Sequence, residues 1–277
     1  MISITSAWQQ YFENHHEGFG TTYERFILHQ YFEKIKKEYS IQNVLEVPSF
    51  GMTGVSGINS MWWGYKGVHV TIIDNDKERI DLIKKVWQEL SFDANVIYQP
   101  NGYTSLPFES HSFDLSWNFA ALWFVSNLEI FLKELTRVTQ KVIFICVPNR
   151  SNLLHLFRLI FQNNSDISLH TNNVNPEKIK KIMLKLKWQV EEEGYLDIPP
   201  WPDIAMNKED LLQKIGLKSL ANRLKNRKRN YVCILDYFSG KRKNMDKEIL
   251  RYAFLEHSPR IFKRFWAHHQ YLIFTSR

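Results

Sequence analysis

Two acids and a glycine-containing turn are the residues of this chain best suited to do chemistry. Glu46 lies in a short apolar segment that runs into a turn with Gly51 and Gly54, and the next apolar segment ends in Asp74. Glycines let the backbone approach a ligand closely, and an acid at the end of the second strand of a βαβ unit can accept the hydroxyls of a ribose. The spacing therefore predicts a nucleoside-binding site at one edge of a parallel sheet, which indicates an enzyme.

The elements that must position these residues alternate along the chain. Apolar segments of strand length predict strands at 43–47, 68–73, 95–98, 113–117, 141–147, 188–197 and 270–276. Apolar residues at helical spacing predict helices at 8–40, 76–90, 127–138, 151–162 and 176–187. Strands that alternate with helices form parallel sheets through right-handed crossovers. We therefore expect an α/β fold with a mostly parallel sheet.

The first helical region is expected to contain a loop at residues 15–23, because it holds two glycines and two threonines. Thr21 or Thr22 is predicted to cap the helix that follows. A second helix is expected to begin near Val55, after the glycine-containing turn.

Composition places the chain among soluble globular proteins, with 277 residues, 44% apolar and 23% charged. No apolar run reaches the roughly 18 to 20 residues that cross a bilayer, so we expect no membrane span. The first residues lack a basic region followed by an apolar stretch, and the expected location is cytoplasmic. The two cysteines, Cys146 and Cys233, are far apart, and their spacing indicates neither a disulfide framework nor a zinc site.

The charge is unevenly distributed. Residues 1–150 hold 16 acids and 13 bases, whereas residues 151–277 hold 13 acids and 23 bases. The basic half is densest at residues 223–229 and 241–243. Such runs are usually solvated surfaces, and the alternative is contact with an anionic partner such as nucleic acid.

Taken together, several segments resemble the class I S-adenosylmethionine-dependent methyltransferases, with a core similar to methyltransferase type 11. The segments that carry the resemblance are Val44-Leu45-Glu46-Val47 with its glycine-containing loop, Asp74, Leu106-Pro107-Phe108 followed by Ser112-Phe113-Asp114-Leu115, and the terminal pair 188–197 and 270–276. The resemblance covers residues 41 to about 150 well and the last two strands loosely. It implies S-adenosylmethionine as the cofactor.

The resemblance also implies an architecture. We expect a Rossmann-like class I methyltransferase fold, a mostly parallel seven-stranded sheet with an antiparallel last strand and a helical insertion. The expected division is an N-terminal helical cap or lid (1–40), the cofactor-binding core (41–198), a basic helical insertion that covers the substrate (199–266) and the last core strand (267–277).

The cofactor-binding residues implied by the resemblance lie at the ends of the first four strands. They are Glu46, Pro48, Ser49, Phe50, Gly51, Asp74, Asn75, Asn101, Gly102, Tyr103 and Asn118. Asp74 is expected to bind the ribose, the alternative being a helix N-cap. Glu46 is expected to order the first loop by accepting backbone amides, the alternative being a pair with a cation.

The first loop departs from the family pattern of acid-x-Gly-x-Gly-x-Gly. Pro48 and Phe50 stand where the first two glycines are expected, and glycines follow later, at Gly51 and Gly54. Gly102 occupies the place of an acid that often contacts adenine, so Asn101, the backbone amide of Tyr103 and stacking are expected to hold that ring. The loop must therefore follow its own path past the amino acid part of the cofactor.

A base for methyl transfer needs a pKa near neutrality and a place beside the acceptor. The candidates are His15, His16, His268 and His269, and the aromatic candidates for the acceptor pocket are Tyr11, Tyr23 and Trp201. We expect no metal ion. The alternative is zinc or iron held by the paired histidines with Glu17, although adjacent histidines on one strand point to opposite faces.

The function expected from these residues is methylation of a small-molecule acceptor. A nucleic-acid methyltransferase that docks through the basic insertion is an alternative, although no Asn-Pro-Pro-aromatic run follows the fourth strand. A further alternative is a non-catalytic cofactor-binding protein, which the atypical first loop favours. Oxidation with a nicotinamide cofactor is a weaker alternative because the glycine spacing does not suit it.

Overall fold

A computed structural model describes residues 17–51, 57–152, 170–199 and 232–276. Several predicted residues lie outside these ranges: Tyr11, His15, His16, Gly54, Val55, Trp201, the basic run at 223–229 and most of the helix expected at 151–162.

A seven-stranded sheet forms the centre of the described structure. Its strands are β1 (Asn43–Glu46), β2 (His69–Asp74), β3 (Asn95–Tyr98), β4 (Phe113–Phe119), β5 (Thr139–Pro148), β6 (Trp188–Leu196) and β7 (His269–Ser276). The order across the sheet is β3-β2-β1-β4-β5-β7-β6. The first five strands pair in parallel, and β7 pairs antiparallel with both β5 and β6. The predicted fold class and all seven predicted strands are confirmed, with bounds that differ by at most two residues.

The α-helices of the described ranges are α1 (Gly18–Tyr39), α2 (Met61–Tyr65), α3 (Lys77–Glu89), α4 (Leu128–Val138), α5 (Pro176–Lys185), α6 (Ile234–Phe238), α7 (Met245–Leu250) and α8 (Arg260–Trp266). Short 3-10 segments lie at Leu122–Phe124, Thr171–Val174 and Ala253–His257. Among the described helices, none combines the length and the apolar character that crossing a bilayer requires.

The sheet separates two apolar cores. Alternate strand residues point to opposite faces, so Val44 packs with α1, α2 and α3, whereas Leu45 packs with α4 and α5. All seven residues of β4 are buried, as expected for a central strand covered on both faces. The two cysteines, Cys146 and Cys233, are free and buried.

The N-terminal region differs from the prediction in its loop and in its helix cap. Residues 18–23 belong to helix α1, so the loop expected at 15–23 is wrong in that part. Thr21 and Thr22 both lie inside the helix, so neither is its N-cap. Thr22 is buried, and its hydroxyl shares one proton between Glu17 Oε1 at 2.8 Å and the carbonyl of Gly18. Glu17 also binds Arg25 Nε at 2.8 Å, so an internal ion pair stabilises the start of the helix. The helix start expected near Val55 lies outside the described residues; residues 57–60 form a turn, and α2 begins at Met61.

Asp114 fixes the entry to β1. Its Oδ2 accepts the backbone amides of Gln42 and Asn43, at 2.8 and 3.0 Å, and its Oδ1 lies 2.9 Å from Lys141 Nζ. Burial alone would raise the pKa of Asp114, but the Lys141 ammonium and the two amides lower that pKa below its usual value. This carboxylate therefore ties the start of β1 to β4 and β5.

We predict that Asp114→Asn lowers the free energy of unfolding by about 1–2 kcal/mol at pH 7, because charge-assisted hydrogen bonds become neutral ones. Since the folded pKa is depressed, this stability is present above the unfolded pKa of about 3.9 and is lost as pH falls through the folded value. Urea unfolding at pH 7 and at pH 3 measures the difference. The difference in unfolding free energy between variant and parent should shrink at pH 3, and the exposed Asp93→Asn should show no difference at either pH. An equal loss of stability at both pH values would contradict the role given to the Asp114 carboxylate.

Candidate functional site

The residues expected to bind a cofactor converge at one edge of the sheet. Strand order reverses between β1 and β4, and crevices for ligands form at such a point, beyond the carboxyl ends of the strands. Glu46 ends β1, Asp74 ends β2, and Asn118 lies next to the end of β4. The backbone amide of Val47 donates to the carbonyl of Trp117 at 3.1 Å, which holds the ends of β1 and β4 together.

Asp74 is fully buried and engaged through both oxygens. Its Oδ2 accepts the hydroxyl of Ser49 at 2.7 Å. Its Oδ1 accepts Nε and Nη2 of Arg79, at 3.0 and 2.7 Å, and the backbone amide of Asp76 at 2.9 Å. The N-cap of α3 is Asp76, whose side chain accepts the amide of Arg79, so the alternative role of Asp74 as the helix cap is wrong.

Arg79 is the main residue in contact with Asp74 that the sequence did not point to. Its guanidinium joins Asp74 to Asp76 and to the side-chain oxygen of Asn75, at 3.2 and 3.0 Å. The ring of Phe50 lies 4.2 Å from its central carbon, a cation–π arrangement. The signal available in the sequence was weak: an arginine in the first turn of the helix that follows the acid.

The residues expected near adenine follow β3. Asn101 is exposed, Gly102 has a positive φ of 74°, and Tyr103 is buried. Burial and the neighbouring Asp74 raise the pKa of the Tyr103 hydroxyl. The Tyr103 ring also packs edge-on against Phe131 of α4, with the ring centroids 6.3 Å apart. This segment therefore lies beside Asp74, where the resemblance places it.

The first loop crosses closely over β4. It leaves β1 through a cis Val47–Pro48 peptide bond, and the amide of Ser49 donates to the carbonyl of Ile73. A Cβ atom at Gly51 would lie 2.0 Å from the carbonyl oxygen of Phe119. The sequence predicts that glycine lets the backbone approach a ligand here. In the structure, Gly51 instead lets the loop approach the backbone of β4.

Two buried acceptor atoms at the ends of β1 and β4 have no hydrogen-bond partner among the described residues. They are Oε2 of Glu46 and Oδ1 of Asn118. Burial raises the pKa of Glu46 to about 8, although Ser60 and the amide of Gly57 oppose the shift. The other end of the Asn118 amide donates to the carbonyl of Val47 at 3.3 Å. Unpaired acceptors in such a crevice suit a ligand that carries positive charge or donor groups.

The two C-terminal histidines lie at the same edge of the sheet, further along it. His268 Nδ1 is 2.6 Å from Asp197 Oδ2. His269 Nδ1 lies 3.7 Å from Glu24 Oε2 and 3.8 Å from Asp197 Oδ2. Burial lowers the pKa of His269 to about 4, whereas burial and the nearby Asp197 carboxylate raise the pKa of Glu24 well above its usual value.

Tyr23, an expected substrate residue, is buried next to this cluster. Its hydroxyl donates to Glu256 Oε1 at 3.0 Å, and the backbone amide of Ile198 donates to the same oxygen at 2.5 Å. Burial raises the pKa of Glu256 to about 7. Glu24, Asp197 and Glu256 were not identified from the sequence, because they come from distant segments that only the fold brings together.

Glu17, which the sequence offered as a metal ligand with the paired histidines, has protein partners for both carboxylate oxygens. Its Oε1 accepts the backbone amide of Ile234 at 3.1 Å and the hydroxyl of Thr22, and its Oε2 pairs with Arg25. These contacts join the start of α1 to α6. They indicate a structural role for this carboxylate.

Residues 51–145 match a family model described as a methyltransferase domain. An 80-residue stretch is 36% identical to a malonyl-(acyl-carrier protein) O-methyltransferase from Erwinia billingiae. The segment 51–145 of the chain is similar to the methyltransferase domain of that family. The match to the Erwinia protein covers 29% of this chain and about 30% of that relative.

Two solved structures are similar to this chain at low sequence identity. The MccD protein has a TM-score of 0.50 and 12% identity, covering 88% of this chain and 95% of its own. The YcgJ protein from Bacillus subtilis has a TM-score of 0.49 and 15% identity, covering 90% of this chain and 99% of its own.

The cofactor of this class of domain is S-adenosylmethionine, and the residues at the carboxyl edge fit it. Glu46 Oε2 and Asn118 Oδ1 are buried and unpaired among the described residues, and such acceptors would suit the ammonium group of the cofactor's amino acid part. The carboxylate of Asp74 lies at the tip of β2, the place of a ribose acceptor. The matched segment includes Asp74 and Asn118, while Glu46 immediately precedes the loop that begins it.

We predict that Gly51→Ala lowers the free energy of unfolding by about 2 kcal/mol or more, because its Cβ would overlap a backbone oxygen that cannot rotate away. Denaturant unfolding followed by circular dichroism measures the change. Gly20→Ala is the matched control. Gly20 lies in α1 with open space around it, and alanine there should be neutral or stabilising by up to about 1 kcal/mol. Equal stability of the two variants would show that the loop does not contact β4 as described.

Proposed function

We propose that this protein is an S-adenosylmethionine-dependent methyltransferase that acts on a small-molecule acceptor. The observation that carries the proposal is the buried carboxylate of Asp74 at the tip of β2, beside the first loop and within the segment that matches the methyltransferase domain. The Erwinia relative, by its name, methylates an oxygen atom, which supports an oxygen acceptor here.

Asp74 would bind the ribose by exchanging one of its present partners. Three donors contact Oδ1 of Asp74, whereas Ser49 is the single donor to Oδ2 among the described residues, so Oδ2 is the oxygen better placed to accept a ribose hydroxyl. Arg79 is held in place by Phe50 and Asp76, and the Asp76 amide belongs to the backbone. The Ser49 hydroxyl can rotate about a single bond, so it is the partner that the ribose hydroxyls would replace.

Glu46 and Asn118 would hold the amino acid part of the cofactor. Both side chains present a buried acceptor without a donor among the described residues, at neighbouring strand ends. When bound, the cofactor supplies a methyl group on a positively charged sulfur. The chain contributes alignment of that group with the acceptor and exclusion of water.

The acceptor side is proposed to lie toward β7, where Tyr23 and the histidines are found. Of the four histidines predicted as bases, His268 and His269 are within the described residues, and both lie beside Asp197. Phe119 connects this region to the cofactor end of the sheet, since its ring centroid is 4.5 Å from that of His269. Because burial lowers the pKa of His269 to about 4, far from neutrality, the base stays assigned, as a prediction, to His268 among the described histidines.

Calorimetry with S-adenosylmethionine tests the proposal. We expect the purified chain to bind it with a dissociation constant of about 1–100 μM, in the range of enzyme ligands. Asp74→Ala should abolish binding, and Asp74→Asn, which preserves the size of the side chain, should weaken it at least tenfold. The exposed Asp93→Asn is the matched control and should bind like the parent chain. Absence of binding by the parent chain, or full binding by Asp74→Asn, would sink the assignment.

Proton release tests the role of Glu46. With a pKa of about 8, this carboxyl is mostly protonated at pH 7, and a cation placed beside it favours the charged form. Cofactor binding at pH 7 should therefore release up to one proton, and the release should fade as pH rises above 8. Titrations in buffers of different ionisation enthalpy measure it. Glu46→Gln should show no such release. If the observed binding enthalpy of this variant depends on the buffer ionisation enthalpy as strongly as that of the parent chain, the cofactor's positive charge does not lie beside Glu46.

A further inference from the structure

A buried group of three potential ligands lies apart from the cofactor end of the sheet. Glu24 belongs to α1, Asp197 follows β6, and His269 begins β7. Each residue offers a ligand atom, and these atoms all lie within 4.8 Å of one another. All three residues are buried, with relative exposures of 7%, 3% and 6%.

The imidazole of His269 is directed into this group without making a hydrogen bond. Its Nδ1 has no hydrogen-bond partner among the described residues. The nearest carboxylate oxygens, of Glu24 and Asp197, lie at 3.7 and 3.8 Å, beyond the roughly 3.2 Å limit of an N–H···O bond. A buried nitrogen left unpaired between two carboxylates is costly, and a cation in the middle would satisfy all three groups.

We propose that Glu24, Asp197 and His269 bind a divalent cation, and that Zn²⁺ suits the site best. One imidazole and two carboxylates form a mixed nitrogen and oxygen ligand set that zinc accepts. Zinc ligands lie about 2.0–2.2 Å from the ion, so two of them in a tetrahedron are roughly 3.4 Å apart. The observed separations of 3.7 and 3.8 Å therefore need only small shifts.

His268 supports the proposed site through Asp197. Its Nδ1 lies 2.6 Å from Asp197 Oδ2, and its backbone amide donates to the carbonyl of Asp197 at 3.0 Å. Ligand carboxylates are commonly oriented by such outer hydrogen bonds. His268 precedes the strand and His269 begins it, so the adjacent histidines serve different roles. The proposed site departs from the expectation, drawn from the sequence, that the chain binds no metal.

Three protein ligands leave a fourth position of a zinc ion open. The site lies near the end of β4, since the ring of Phe119 contacts His269. An oxygen of the acceptor could occupy that position, and the ion would polarise it. Cation binding itself does not depend on the proposed methyl transfer.

Calorimetry with ZnCl₂ on the full chain, stripped beforehand with a chelator, tests the proposal. We expect one ion per chain, with a dissociation constant of 1 μM or below, in the order of magnitude of specific protein zinc sites. Glu24→Gln and Asp197→Asn, which preserve side-chain size, and His269→Ala should each weaken binding at least tenfold. The controls are Glu33→Gln, an exposed acid on the same helix, and His111→Ala, an exposed histidine elsewhere.

Cobalt provides a second measurement that does not depend on the variants folding. Co²⁺ bound to the parent chain should give visible absorption bands of a low-coordinate site, displaced by an equivalent of Zn²⁺. Absence of one-to-one binding by the parent chain would overturn the proposal. Binding that is unchanged in a folded His269→Ala chain would overturn it as well. The chelator-treated chain is also titrated with S-adenosylmethionine. Cofactor binding without cation binding would overturn the cation site and leave the proposed function standing.

Discussion

The buried ion pair between Asp74 and Arg79 is the interaction on which the proposed cofactor site depends. It joins the tip of β2 to the first turn of α3, and Phe50 adds the first loop by packing on the guanidinium. Removing one member of a buried pair commonly costs about 3–5 kcal/mol, because the remaining charge has no partner. The pair thus fixes the direction of the carboxylate before any ligand arrives, and a ligand need only replace the hydroxyl of Ser49.

β4 connects the two chemical regions of this edge. Asn118 is paired with the end of β1 through the carbonyl of Val47, whereas the ring of the next residue, Phe119, contacts His269 at the start of β7. Successive side chains of a strand point to opposite faces of the sheet, so Asn118 and Phe119 contact different neighbours. The Phe119 carbonyl also lies against Gly51, which explains why that position of the loop has no side chain. The position of the first loop and that of the buried histidine therefore both depend on the path of one strand.

Much of this fold was predictable from the sequence, and part of the site was not. The strands were found because apolar segments of strand length recur between amphipathic helices, and Asp74 was found because acids at strand ends are local signals. The helix start at Gly18 was missed because it depends on the ion pair of Glu17 with Arg25, a tertiary contact that overrides the loop preference of glycine. Glu24, Asp197 and His269 share no sequence spacing, and the antiparallel return of β7 beside β6 is what brings the last two together.

The atypical first loop follows from how the ion pair is shielded. Phe50 stands where the family pattern has a glycine, and it is only 5% exposed, with its ring on Arg79 and beside Phe124 at a centroid distance of 5.0 Å. Excluding water from a charge pair strengthens the attraction between its members. A glycine at this position would open the guanidinium to solvent and would loosen its hold on Asp74. The Phe50 ring thus holds Arg79, and through it Asp74, in a fixed position that a glycine would not provide. The close contact between the loop and the β4 backbone occurs at the next residue, Gly51.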